Sequence, residues 1–213
     1  MEKYQGIIFD LDGVICHTDR YHYLAWKALA DRLGICFNEK INNRLRGVSR
    51  MESLEIILSN SGQIYTDTEK DKLANEKNEN YRRSLAQMTP ENLSPEVKGT
   101  LDFLRKSGCR LAIGSSSKNA GFILERIGLN GYFDAVVDGN QISHAKPDPE
   151  VFRCAARRLG LAPENCLVVE DALVGIEAAV RAGCDAAGMG DARKSSLAKY
   201  HLAAFSELKE VCG

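Results

Sequence analysis

Short apolar runs recur along the chain, and each gives way to polar or small residues and then to helical periodicity. The runs Ile7–Asp10, Leu111–Ser115, Ala135–Asp138 and Leu167–Glu170 predict buried strands. The spacing predicts helices over Val97–Ser107, Asn119–Ile127, Pro149–Leu159 and Leu173–Ala182, each followed by a glycine suited to the left-handed position that ends a helix. Strands alternating with helices of this length predict an α/β fold with a doubly wound, mostly parallel sheet of the Rossmann-like kind, whose ligands sit at the carboxyl ends of the strands. Asp10, Ser115 and Glu170-Asp171 then share one rim.

The pattern changes between Cys16 and Asn92. Long charged stretches replace the strand runs, and within Thr66–Arg83 the residues Leu73, Lys77 and Tyr81 fall at helical spacing. The expected organisation is an α/β core made of residues 1–15 and 93–213, with an inserted α-helical cap domain over 16–92 joined by two hinge segments. A cap hinged above the strand ends could shut water out; the plainer alternative is a helical subdomain packed rigidly on the core.

A chain of 213 residues that is 44% apolar is long enough for such a core with an inserted lid. Its 28 basic and 29 acidic residues leave a formal charge of −1, which gives no electrostatic footprint for nucleic acid or anionic membrane. A small-molecule partner is expected instead. The seven cysteines are scattered singly, with no CxxC pair, and read as reduced, mostly core-filling thiols. No signal-like apolar stretch opens the sequence, and no segment nears the ~18 apolar residues of a membrane span, so a cytoplasmic monomer is the expectation.

Candidate chemistry centres on Asp10-Leu11-Asp12-Gly13-Val14, which ends the first apolar run on two carboxylates spaced i, i+2. Where the strand breaks at Asp12-Gly13, both groups can turn into one crevice, an arrangement suited to metal-assisted phosphoryl transfer. By itself the segment reads equally as a strand followed by an Asp-Gly turn. A parallel sheet brings three further segments to the same rim: Ser115-Ser116-Ser117-Lys118-Asn119, Lys146-Pro147-Asp148-Pro149 and Glu170-Asp171. Taken singly, Lys146 could be a solvated loop lysine, Glu170-Asp171 a helix cap with its neighbour, and the serines a capping loop. Asp10 fits a purely structural role less well, because an unpaired carboxylate at the end of a buried strand is costly.

These four segments, in order over nearly the whole chain, resemble the haloacid dehalogenase superfamily of phosphotransferases. The resemblance implies Asp10 as nucleophile, Asp12 as general acid/base, Ser115 and Lys146 as donors to the transferring group, and one Mg²⁺ held by Asp10, Glu170, Asp171 and the backbone carbonyl of Asp12. Attack of one anion on another needs such a cation between them. Within that superfamily, Thr18, His22, Trp26, Gly47, Val48, Ser49, Arg50, Ser53 and Lys77 resemble the β-phosphoglucomutases. That likeness implies sugar-phosphate binding by these residues together with Ser116, Ser117, Lys118 and Asn119, with Arg50 gripping a distal phosphate in fork geometry. Without it, Trp26 reads as a core aromatic of the cap, His22 as a surface helix residue and Gly47 as a plain turn. One departure from the family pattern is His17, where many relatives carry an Asp before the threonine matching Thr18.

The function implied is interconversion of β-glucose 1-phosphate and glucose 6-phosphate through an aspartyl phosphate, with glucose 1,6-bisphosphate as intermediate and activator. The alternative is a Mg²⁺-dependent phosphatase of a sugar phosphate or other small phosphoester, in which water attacks the same aspartyl phosphate. A silent sugar-phosphate-binding regulator is disfavoured, since such a relative would be expected to have lost Asp10, Asp12 or Lys146.

Overall fold

The computed structural model describes residues 4–45 and 48–212. Gly47, one of the expected sugar-phosphate residues, lies outside the described residues. In chain order the elements are β1 (Gly6–Phe9), α1 (Asp19–Arg32), α2 (Glu39–Asn43), α3 (Arg50–Leu58), α4 (Asp67–Leu85), α5 (Pro95–Lys106), β2 (Arg110–Gly114), α6 (Ala120–Arg126), β3 (Ala135–Val137), α7 (Glu150–Leu159), β4 (Cys166–Glu170), α8 (Leu173–Ala182), β5 (Asp185–Gly188), β6 (Tyr200–His201) and α9 (Leu208–Cys212). The chain divides into two compact units, one running to His17 and resuming at Thr89, the other Thr18–Met88.

The first unit is built on a six-stranded sheet in the order β3-β2-β1-β4-β5-β6, with every pairing parallel. All four β1 residues are buried, as a central strand covered on both faces requires. Ile8 faces one side, in a cluster with Val137, Phe152 and Ala155 of α7, Val168, and Ile176 and Ala179 of α8. Phe9 faces the other and meets the rings of Phe133 and Phe205, with centroids at 6.3 and 5.6 Å. The doubly wound parallel sheet expected from the apolar runs is therefore present. The chain fills one flank with β2 and β3 and then crosses to β4, so the topological switch point lies between β1 and β4, where their carboxyl ends form a crevice.

Two strands escaped the pattern. β5 reads Asp-Ala-Ala-Gly and β6 is two residues long, so neither carries the β-branched or aromatic run that marks a strand. Helix α5 begins two residues earlier than its apolar spacing predicts, because the Ser94 hydroxyl accepts from the Val97 N–H at 3.1 Å and Pro95 fits the first helical turn.

Among the described residues, the regular elements of the Thr18–Met88 unit are all helices. Its core joins Trp26, Leu29 and Ala30 of α1 to Leu54, Ile57 and Leu58 of α3 and Leu73 and Ala74 of α4. A full capping box starts α4: Thr66 Oγ1 accepts from the Glu69 N–H at 3.3 Å, and the Glu69 carboxylate accepts from the Thr66 N–H at 2.8 Å. Asp67 and Glu69 in its first turn, with Arg82 and Arg83 in its last, complement the helix dipole. All seven cysteines are free thiols, five of them buried, in line with a core-filling role. No helix among the described residues is long and apolar enough to cross a membrane.

Candidate active site

The carboxyl ends of β1 and β4 deliver Asp10 and Glu170 side by side. Register places Phe9 opposite Val169, and the Asp10 N–H donates to the Val169 carbonyl at 2.9 Å, so the ladder continues one residue beyond β1 before the chain turns. Gly13 makes that turn with φ of +90°, and its N–H donates to the Cys16 carbonyl at 2.8 Å. A Cβ at Gly13 would fall 2.1 Å from Asp171 Oδ2, so the absence of a side chain there seats the Asp171 carboxylate against the Asp10–Asp12 loop.

Lys146 joins the two strand ends. Its ammonium lies 2.5 Å from Asp10 Oδ1 and 2.5 Å from Glu170 Oε1, and all three residues are nearly removed from solvent, at 6%, 7% and 1% exposure. The Lys146 ammonium also lies over the ring of Phe152, with Nζ 4.7 Å from the centroid. Its loop is held in shape by Glu150, whose Oε2 accepts from the Ser143 and His144 N–H groups at 2.9 and 2.8 Å, and it contains a cis Lys146–Pro147 bond. Burial opposes the charge on Lys146, but Asp10 and Glu170 outweigh it and hold the ammonium above the usual lysine pKa. Burial pushes the Asp10 carboxyl upward, opposed by Lys146 and reinforced by Glu170 and Asp12.

Ser115 follows β2 and is also buried; its N–H donates to the Val137 carbonyl at 3.0 Å, and its hydroxyl accepts from the Ser117 N–H at 3.1 Å. The Ser117 hydroxyl in turn accepts from the Asn119 N–H at 3.2 Å. The Ser116 hydroxyl is buried with no hydrogen-bond partner among the described residues. This loop lies against Gly139, where a Cβ would come within 2.3 Å of the Ser116 carbonyl.

The donors fit a divalent cation. Asp10, Glu170 and Asp171 can each offer a carboxylate oxygen such that all three lie within 4.8 Å of one another. These are the hard oxygen ligands that Mg²⁺ selects. Three carboxylates against one ammonium leave two negative charges, which is what such an ion neutralises.

A second cluster lies within the helical unit. His22 and Trp26 on α1 are spaced i, i+4, as are Lys77 and Tyr81 on α4, so each pair shares a helix face. Lys77 is only 2% exposed, on the buried face of α4 beside Leu73 and Ala74. Its ammonium donates to His22 Nδ1 at 2.9 Å and sits 4.6 and 4.7 Å from the ring centroids of Trp26 and Tyr81. The His22 and Tyr81 rings stack at 4.0 Å. Because an ammonium only donates, Nδ1 is the acceptor and the proton of neutral His22 resides on Nε2. Burial, then Lys77 and Arg50, hold the His22 pKa well below its usual value. Trp26 is a member of this unit's core, and His22 is half-buried rather than a surface residue. Ser49 caps α3 by accepting from the Glu52 N–H at 3.2 Å, which sets Arg50 at the first turn; Thr18 and Ser53 are buried, and Val48 is half-buried.

The family model for haloacid dehalogenase-like hydrolases matches residues 4–183. The chain belongs to that family. It is 42% identical over 188 residues to the β-phosphoglucomutase of Bacillus subtilis, covering 87% of this chain and 83% of that one. It is 33% identical over 186 residues to the phosphorylated carbohydrates phosphatase of Thermotoga maritima, covering 85% and 82%. The crystal structure of a β-phosphoglucomutase from Clostridium difficile superposes with a TM-score of 0.89 at 34% identity, covering 96% of this chain and 92% of that one. Membership of the haloacid dehalogenase-like family accounts for the parallel sheet and for the acidic segments after β1 and β4. Gly139 and Phe152 carry no signal of these roles in the sequence, since their contributions depend on which distant residues they meet.

Proposed function

We propose that this chain is a β-phosphoglucomutase, a cytoplasmic monomer interconverting β-D-glucose 1-phosphate and glucose 6-phosphate through β-glucose 1,6-bisphosphate. The observation that carries the reading is the buried contact of Lys146 with Asp10 and Glu170, in a chain 42% identical to a β-phosphoglucomutase. An Asp10 oxygen attacks the phosphorus of the bisphosphate, the bond from phosphorus to the sugar oxygen breaks, and Asp12 supplies the proton to the departing hydroxyl. In the return step the 6-hydroxyl of an incoming β-glucose 1-phosphate gives its proton to Asp12 and takes the phosphoryl group from Asp10, regenerating the bisphosphate. Lys146 and the Ser115 hydroxyl donate to the transferring oxygens. Held by Asp10, Glu170, Asp171 and the Asp12 carbonyl, Mg²⁺ would screen the phosphate charge from the incoming carboxylate.

Thr18, His22, Trp26, Val48, Ser49, Arg50, Ser53 and Lys77, with Gly47, are assigned to the sugar phosphate, and Ser116, Ser117, Lys118 and Asn119 to its phosphate. Neutral His22 would serve as an Nε2–H donor, since Lys77 occupies its other nitrogen. The second reading, a sugar-phosphate phosphatase, is favoured by the 33% identity to the Thermotoga enzyme. A coupled glucose 6-phosphate assay on both anomers of glucose 1-phosphate, with Mg²⁺ and trace bisphosphate, separates the two. The mutase reading expects product from the β anomer with little phosphate release; steady phosphate release without isomerised sugar rejects it.

A further inference from the structure

Gly175 lies in the first turn of α8, is buried, and was singled out by no sequence motif. A Cβ built on it would stand 2.0 Å from both Glu170 Cδ and Glu170 Oε1 and 2.5 Å from Oε2. The Glu170 carboxylate therefore occupies the volume that any other residue at 175 would fill. It is fixed there by Lys146 at 2.5 Å on Oε1 and by the Asp171 and Ala172 N–H groups at 3.0 and 3.1 Å on Oε2. Gly13 plays a similar part for Asp171, but its positive φ makes it needed for backbone reasons as well. At Gly175 the backbone is helical and has no such need, and alanine is the better helix former there. What glycine supplies at 175 is room.

We propose that Gly175 is a positioning residue for the reaction: its missing side chain seats the Glu170 carboxylate against Lys146 and within the cation-holding group. The inference rests on the proposed role of Glu170 as a cation ligand. With alanine at 175, the end of the Glu170 side chain must retreat by about 1.4 Å to reach an ordinary 3.4 Å contact. The obstructing atoms are the end of a side chain and not backbone, so the Glu170 side chain rather than the main chain gives way. The contacts of Glu170 with Lys146 and with the two N–H groups do not all survive it.

The test is a titration of the whole protein with Mn²⁺, followed by the loss of the free-ion electron paramagnetic resonance signal, in wild type, Gly175→Ala, Gly99→Ala and the double variant Glu170→Asp with Gly175→Ala. Gly99 is a helical glycine on α5 with open space around its Cβ position, so its variant is the control. Expected results are a loss of Mn²⁺ affinity of tenfold or more for Gly175→Ala with an unchanged circular dichroism spectrum, wild-type affinity for Gly99→Ala, and partial recovery in the double variant, whose shorter carboxylate clears the added methyl. In turnover, the Mg²⁺ concentration for half-maximal rate should rise by at least as much, while KM for the sugar phosphate moves less than threefold. Wild-type Mn²⁺ affinity in Gly175→Ala overturns the inference. Absence of Mn²⁺ binding in the wild type overturns the cation-site reading beneath it. Should Gly175→Ala fail to fold, the double variant decides: folding with Mn²⁺ binding supports the space argument, and failure of either refutes it.

Discussion

Replacing Lys146 with methionine keeps an unbranched side chain of nearly the same length and removes only the ammonium, which lies over the Phe152 ring. In the native site that ammonium meets two buried carboxylate oxygens at 2.5 Å each. With an effective dielectric constant near 20, each contact is worth roughly 7 kcal/mol of gross attraction. Burying the ammonium costs several kcal/mol, so the net loss on deleting one member of such a buried set is about 3–5 kcal/mol. The variant also leaves Asp10 and Glu170 facing each other with nothing between them. Urea unfolding at pH 7.5 in excess EDTA, followed by circular dichroism, should show the transition moving down by about 1 M or more, given a slope of about 3 kcal/mol/M. Adding millimolar Mg²⁺ should narrow the gap to wild type, because a bound cation offsets the exposed pair of charges. An unchanged midpoint in EDTA would refute the reasoning, since it would mean that the Asp10–Lys146–Glu170 contacts contribute nothing to the folded state.

His22 predicts a pH dependence of the helical unit, because burial, Lys77 and Arg50 depress its folded-state pKa. The unfolded chain takes up a proton near pH 6.5 that the folded one refuses, so stability is complete above that value. It then falls by up to about 1.4 kcal/mol per pH unit as the pH drops toward the folded-state pKa. Trp26 is the chain's single tryptophan and lies in this unit, so its fluorescence during urea unfolding between pH 7.5 and 5.5 reports the effect. His22→Gln should remove that part of the slope, and an identical slope in the variant contradicts the assignment. Arg50→Ala should lower mutase kcat/KM by about 10- to 150-fold, the span of a charged hydrogen-bond contribution of about 1.5–3 kcal/mol. Hydrolysis of p-nitrophenyl phosphate, which has no second phosphate, should change far less; equal losses on both substrates would remove Arg50 from the distal-phosphate role.

Much of the sheet was legible because β1, β2 and β4 are apolar runs that only a doubly covered parallel sheet can bury. β5 and β6 were not, since Ala-Ala-Gly and a two-residue strand owe their pairing to β4 and to each other rather than to their own sequence. Asp10, Ser115 and Glu170 were legible as strand-end residues, which topology alone carries to one rim. Lys146 was legible as part of a segment reaching that rim, but its joint contact with Asp10 and Glu170 was not, because those partners are 136 and 24 residues away along the chain. The packing of His22 and Trp26 against Lys77 and Tyr81 was half-visible as two i, i+4 pairs, but nothing in the spacing says that the lysine lies between the rings. Gly175 carried no signal at all: a glycine opening a helix is ordinary until the Glu170 carboxylate is seen in its vacant volume.

Phosphoryl transfer to Asp10 is the claim on which the rest turns, and trapping the phosphoenzyme tests it most directly. Enzyme mixed with labelled β-glucose 1,6-bisphosphate and Mg²⁺, quenched in acid within milliseconds and digested, should carry the label on the peptide containing Asp10, and Asp10→Asn should carry none. Label on any other residue, or full turnover by Asp10→Asn, would contradict the account.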